Sequence, residues 1–452
     1  MLKPNLLASL VSVSFLLLLP VPAQAAEAET PAGVDGKGGG EKLKLRGVLK
    51  DEHAVGADLW VYNDLDKAMS VARKENKPLF VTFRCVPCNA CRGFDAEVAK
   101  GSERIEELAR EEFVSVRQVE MKGVDLSLFQ FDYDLNWAAM FVSPSGGVYA
   151  RYGTQSAEGP DAYNSIAGLE RTMRRVLELH AAYPKNASVL VGKLGSKKPY
   201  ASALDMPGLK EKEKRRGPTT RKNCIHCHNI HDAEQVQAKL AGTFSDDSLW
   251  RYPLPENVGL KMDLVEGIRV ASVVADSPAA RSGLKAGDVL RLVGGQQVAS
   301  IADIQWVLHH MPNTASSLDV VLADDSPHTV RMVAGWKRTD ISWRGSIWSL
   351  SPKLRVWMPQ LDDEVRRKQG IPADQEGLLV KWINTKSDGG RAAYEAGLRH
   401  GDVVVEVAGT PLEMTPGQFN VHVKLHYKVG DELPLTVLRK GRRQTVRIRL
   451  AE

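Results

Sequence analysis

A short phrase occurs twice in this chain, and it constrains the second half more than any other feature. Gly283-Leu284-Lys285-Ala286-Gly287-Asp288-Val289-Leu290 is echoed by Gly397-Leu398-Arg399-His400-Gly401-Asp402-Val403-Val404, about 114 residues further on. Helical stretches precede both, Ser277 to Ser282 in the first and Gly390 to Ala396 in the second. In each copy the helical turn ends at a glycine able to take positive φ. A Gly-Asp pair makes the next turn, and an apolar strand follows. The second half should therefore hold two copies of one small fold rich in short strands.

At 452 residues the chain is too long for a single core and should divide into three or four domains. A net charge of +5 is small for that length and carries no nucleic-acid reading. Lys3, the apolar run Leu6 to Leu19, Pro20 and Ala23-Gln24-Ala25 have the order of a cleaved export signal ending at Ala25. The run is shorter than the roughly 20 residues of a membrane span, and no second apolar run follows. All five cysteines fall in two tight clusters, a distribution that points to chemistry rather than a stapling framework.

The first cluster sits in an αβ pattern. Leu65, Ala68, Met69 and Ala72 share a helical face after a capping Asp64, and Lys77-Pro78 ends that helix. A buried-type strand, Leu79 to Phe83, leads into Cys85-Val86-Pro87-Cys88-Asn89-Ala90-Cys91, and helical spacing resumes at Phe94. A strand from Phe113, a hairpin around Pro144-Ser145-Gly146 and a helix from Asp161 to Ala182 complete the unit. Residues 58–185 in this order resemble the thioredoxin superfamily. The resemblance implies a redox pair of Cys88 as nucleophile and Cys91 as resolving thiol, with Cys85-Cys88 as the other register. A helix N-terminus at that point would lower the thiol pKa. The family's cis-proline position falls at Trp137 or a neighbour, and no proline lies between Asn136 and Ser143.

The second cluster is Cys224-Ile225-His226-Cys227-His228, a CxxCH. It resembles the attachment site of c-type cytochromes, which implies a covalent haem c on Cys224 and Cys227 with His228 on the iron. Met206, His231 and Met262 are the candidates for a sixth ligand. The alternative cofactor is zinc on Cys224, Cys227, His228 and His231. Adjacent side chains such as Cys227 and His228 diverge, which counts against one small tetrahedral ion.

The repeated phrase resembles bacterial PDZ domains. The resemblance implies a peptide groove in the first copy formed by Val258, Gly259, Leu260 and Met262 beside a helix from Ile301 to His309, with the peptide adding as a strand. In the second copy Leu354-Arg355-Val356-Trp357-Met358 is the nearest counterpart. The sequence has no Gly-x-Ser-x-Gly, and His309, His310, His400, His422 and His426 lie inside the repeats, so protease activity is not expected. The expected fold class is multidomain, α/β and mainly β. Its order is signal peptide (1–25), flexible leader (26–57), thioredoxin-like domain (58–185), basic linker (186–222), CxxCH segment (223–250) and PDZ-like domains (251–336 and 337–452). The expected function is an exported thiol–disulfide or electron-transfer protein that tethers a protein or peptide partner, with a redox protein as a further partner. The rival expectation is a non-catalytic PDZ scaffold with a structural zinc or disulfide.

Overall fold

The computed structural model describes residues 45–51, 59–86, 92–373 and 375–452. The export signal, Cys88 and Cys91 lie outside the described residues. Five strands, β1 (Val61–Tyr62), β2 (Leu79–Arg84), β3 (Val114–Gln118), β4 (Trp137–Val142) and β5 (Val148–Tyr152), form one sheet in the order β1-β3-β2-β4-β5. Strands β1 and β2 run parallel to β3, while β4 is antiparallel to β2 and to β5. Every residue of β2, β4 and β5 is buried, because both faces of the sheet are covered.

Alternation along β2 divides the core in two. Leu79, Val81 and Phe83 pack with Ala68 and Ala72 of the helix Leu65–Glu75. Phe80 points the other way and stacks on Phe141 at 5.2 Å, in the layer that includes the helix Ile166–Ala182. Asp64 caps the first helix by accepting from the Lys67 N–H, and Asn76 ends it in the left-handed region. The expected helix after Phe94 is broken into Arg92–Ala96, a π turn Glu97–Gly101 and Glu103–Glu111, with Ser102 capping the last.

Two segments differ from their expected character. Residues 186–222 are no spacer: Leu190 enters the layer of Phe80, and Ala203, Met206 and Leu209 enter that of Leu79. Ile225, Ile230 and Ala233 join the same layer, so the CxxCH segment is part of the lid that closes the sheet. In the leader, Leu49 is buried and Asp51 binds the buried Arg117 at 2.9 and 3.0 Å.

The two repeats share an element order, into which the second inserts the helix Asp363–Gln369 and one more short strand. The first runs through strands Leu260–Met262 and Val270–Val273, helix Pro278–Arg281, strands Leu290–Val293 and Gln296–Gln297, helix Ile301–His310 and the hairpin Ser316–Leu322/Pro327–Met332. The second runs through Val356–Trp357, Leu378–Leu379 and Trp382–Ile383, helix Asp388–Glu395, strands Val403–Val407 and Thr410–Pro411, helix Pro416–His426 and the hairpin Glu432–Arg439/Arg442–Arg449. The shared phrase makes the same bonds in both. The Gly287 N–H donates to the Val270 carbonyl as Gly401 does to Val380, and Asp288 accepts from the Lys285 N–H as Asp402 does from Arg399. Gly287 (φ +94) and Gly401 (φ +85) both occupy the left-handed region that this turn requires.

The first repeat is docked on the thioredoxin-like domain through its long helix. All of Ile301 to Leu308 is buried, an all-round burial that a one-sided amphipathic helix would not show. The Trp306 Nε1–H donates to the Gly192 carbonyl at 2.9 Å, and the Arg151 guanidinium lies 3.5 Å over the Trp306 ring. Lys193 Nζ meets Asp303 Oδ2 at 2.6 Å in a pair almost wholly removed from water.

Candidate functional site

Two places in the molecule can do chemistry or binding. The first is the cysteine–histidine cleft at the end of β2. Arg84 closes that strand and pairs with Trp137 of β4, so Trp137 stands beside the chain that leads to Cys85. It is 1% exposed, with its ring edge-on to Phe94 at 4.9 Å. A buried ion network ties together Arg84 and Asp95, which flank the cysteine cluster in the sequence. Asp95, just after the loop, takes the Arg84 Nη1–H at 3.0 Å and both Nη–H groups of Arg117 at 2.9 Å. Sequence reasoning missed this network, because single charged letters inside apolar strands carry no period of their own.

The CxxCH turn approaches the same spot from the other side. The Met121 N–H donates to the Ile225 carbonyl at 3.1 Å, and the Arg215 Nη1–H donates to the Cys224 carbonyl at 2.7 Å, which fixes the turn on the thioredoxin-like domain. Cys85 Sγ then lies 2.7 Å from His226 Nδ1. Cys85, His226, Cys227 and His228 line one cavity of 280 Å³ with Tyr133, Leu135 and Trp343. The chain turns into the helix His228–Leu240 at Cys227, and the His226 and His228 rings are nearly parallel, with 15° between planes. Burial, followed by His228 and Arg215, pulls His226 down to about 4, leaving a neutral imidazole at pH 7. Burial, with the neighbouring Glu120 and Cys85, pushes Cys224 up to about 12, and burial raises Cys227 as well.

Neither expected cofactor set is assembled. Thioether attachment needs both cysteine sulfurs at the edge of one slot that admits a macrocycle, with the histidine beneath it. Cys224 is 3% exposed, its Sγ rests 4.0 Å from the Val119 and Ile225 carbonyls, and it does not line the cavity. The cavity itself falls just below the roughly 300–1,000 Å³ of pockets for drug-sized ligands, and a porphyrin with its substituents is a large ligand. In this arrangement the residues do not fit a haem. The zinc set does not converge either: among the described residues the one group of three or more candidate ligands is Asp132, Asp134 and His231. Arg344 occupies that carboxylate pair, with its Nη1 at 2.8 Å from Asp132 and 3.2 Å from Asp134. Burial alone would raise the Asp132 pKa, but Arg344 and His231 hold it well below the ordinary carboxylate range. Of the proposed sixth ligands, Met206 and Met262 are core residues in separate clusters.

The second place is a groove in the C-terminal repeat. A cavity of 540 Å³ runs between the stretch Lys353 to Gln360 and the helix Pro416–His426, floored by Leu354, Met358, Phe419 and Val423. Arg355 takes φ +51 where the first repeat has Gly259 at φ +91, and the Asn384 N–H donates to the Arg355 carbonyl as the Val274 N–H does to that of Gly259. The loop geometry is thus kept without the glycine. Trp348, Trp357 and Trp382 stand around the groove, each more than half exposed. In the first repeat Val258, Leu260 and Met262 are 1–3% exposed and pack with Ile304, Val307 and Leu308. The residues expected to form the peptide site there are core, and the open groove belongs to the second copy.

Comparison with known proteins places two of these units. A thioredoxin-like family model matches residues 60–144, and a PDZ domain model matches residues 269–321. The chain is 27% identical over 206 residues to a probable periplasmic serine endoprotease, DegP-like, of Pseudomonas fulva, covering 44% of this chain and 40% of that protein. It is 29% identical over 212 residues to the DegP-like protein of Ectopseudomonas mendocina, covering 44% and 41%. It is 25% identical over 226 residues to the magnetosome formation protease MamE of Magnetospirillum gryphiswaldense, covering 42% and 28%. A solved HtrA-type protease AlgW with decapeptide matches with a TM-score of 0.20 at 12% identity, over 36% of this chain and 54% of that one. The chain spans less than half the length of these curated relatives. The expectation of no protease activity is overturned by these relatives, which are named as proteases. Among the described residues no helix is long and apolar enough to cross a membrane. The chain is a multidomain protein that carries a thioredoxin-like domain and a PDZ domain.

Proposed function

We propose that this is an exported protein that captures polypeptide termini, with its C-terminal repeat acting as a second PDZ module. The single observation that carries this reading is the open groove between Lys353–Gln360 and the helix Pro416–His426. Strand addition beside Val356–Met358 supplies backbone bonds, and the apolar floor takes alternate side chains. Export is supported by the periplasmic naming of the relatives and by the N-terminal signal pattern. Substituting Asn420→Trp on the groove lip fills the groove without altering its floor. It is expected to weaken binding of a labelled peptide with a free carboxylate by about tenfold or more, read by fluorescence anisotropy. Mass spectrometry of an unfolded protein incubated with the chain, with and without a serine-directed inhibitor, decides whether captured chains are also cleaved.

A second reading is thiol–disulfide exchange, favoured by the 2.7 Å contact of Cys85 Sγ with His226 Nδ1. That places a nucleophilic thiol against a neutral imidazole that can orient it. The Cys85 thiol loses its proton to solvent, and the thiolate attacks a client disulfide and releases one client thiolate. A second cysteine of the chain then attacks the mixed disulfide and releases the other, so the client is reduced to two thiols and the chain gains one disulfide. Cys85→Ser is expected to abolish reduction of a client disulfide by the dithiothreitol-reduced chain, scored by peptide mass spectrometry of the client. A client reduced at the wild-type rate contradicts this reading.

A further inference from the structure

One end of the C-terminal groove carries an excess of positive charge that the peptide-capture reading does not by itself require. Lys353, Arg355 and Lys424 all line it, and they come from two different sides: the loop before the strand Val356–Trp357 and the last turn of the helix Pro416–His426. Among the described residues no carboxylate lies within ion-pair distance of any of the three. Lys424 Nζ donates instead to the carbonyls of Leu350 at 2.5 Å and Pro352 at 3.1 Å, so it is held in place by neutral acceptors. Burial lowers Lys424 to about 7, with Lys353, Arg355 and Lys239 adding to the effect. Burial lowers Lys353 as well, with Lys210, Arg355 and Lys239 adding to the effect and Glu452 opposing it. Like charges gathered at a concave apolar surface are costly until an anion arrives, and such a site focuses the field on its ligand.

We propose that this groove selects polypeptide ends that carry a second negative charge: an acidic side chain within the last three residues, in addition to the terminal carboxylate. The proposal rests on the peptide-capture reading of the same groove. A strand laid beside Val356–Met358 brings its terminal carboxylate to the Leu354–Arg355 end. The side chains just before it then face Lys353 on one wall and Lys424 on the other. Attraction across a partly desolvated rim discriminates between partners more than it adds raw affinity, so the signature is a preference between two probes.

The test uses the full chain and three fluorescein-labelled peptides that differ only at their ends: Glu-Leu-Val with a free carboxylate, Gln-Leu-Val with a free carboxylate, and Glu-Leu-Val amide. The first is expected to bind about tenfold more tightly than the second, a gap that narrows as salt is raised. Lys353→Gln and Lys424→Gln should each weaken the Glu-Leu-Val probe more than the Gln-Leu-Val probe, and so shrink the gap. Two variants are used because Lys424 also holds the Leu350 and Pro352 carbonyls. Equal binding of the Glu and Gln probes overturns the proposal and leaves the groove reading standing. Failure of all three peptides to bind overturns both.

Discussion

The Asp95→Ala variant is expected to lose about 3–5 kcal/mol of folding stability, the cost of stranding buried guanidinium groups. Asp95 is 0% exposed and is the shared partner of Arg84 and Arg117, which are 3% and 1% exposed. Asp51 still holds Arg117 and the Tyr62 hydroxyl through direct hydrogen bonds, whereas Arg84 loses the carboxylate that it shares with Arg117. The damage is local as well as global. Arg84 immediately precedes Cys85, and Asp95 lies four residues after Cys91, so the variant breaks the link between the two sides of the cysteine cluster. Urea unfolding followed by far-UV circular dichroism measures the shift, with Asp66→Ala in the exposed first turn of Leu65–Glu75 as the control. A midpoint for Asp95→Ala as close to wild type as the control's would show that the network contributes little.

The Asp303→Ala variant is expected to cost a similar ~3–5 kcal/mol, but at the contact between modules rather than inside one of them. Asp303 binds Lys193 Nζ at 2.6 Å, accepts the Ala299 N–H at 3.0 Å and accepts the Arg151 N–H at 3.1 Å. Without it Lys193 is a buried cation with no partner. Burial already lowers the Lys193 pKa below its ordinary 10.5, with Asp303 opposing the shift. Removing Asp303 lowers it further, so the unfolded chain binds more protons than the folded one between that lowered pKa and 10.5. The stability of the variant therefore rises with pH across that window, and its deficit is largest below it. Hydrogen exchange across Ile301–His310 at two pH values reads both effects. Unchanged protection of that helix would mean that docking on Arg151 and Gly192 suffices.

Much of the architecture was legible because it depended on local pattern. The continuous apolar run Leu79 to Phe83 announced a strand buried on both faces, and Asp64 with Lys77-Pro78 bracketed its preceding helix. The Gly-Asp phrase appeared twice, and the same turn bonds formed in both copies. What was illegible depended on partners far away in the chain. Met206 and Leu209 sit in a stretch with no helical or strand period, and they share a core layer with sheet residues Leu79 to Val148, far earlier in the chain. The choice of groove turned on the same limitation. Gly259 marked the first copy as the better site, yet the Ile301–His310 helix is covered by a neighbouring domain, while Arg355 adopts in the second copy the backbone that glycine would favour. For the cysteines, spacing alone suggested a haem or zinc, whereas the structure places Cys85 against His226, the CxxCH residue to which neither reading gave a role.

The central claim is that the C-terminal groove takes a polypeptide end. Isothermal titration of the full chain with one apolar-ended peptide, as free acid and as amide, tests it most directly, with the Asn420→Trp chain as the blocked form. The account predicts saturable binding of the free acid, weaker binding of the amide, and loss of both in Asn420→Trp. Binding that is the same for acid and amide, or that survives undiminished in Asn420→Trp, would contradict it.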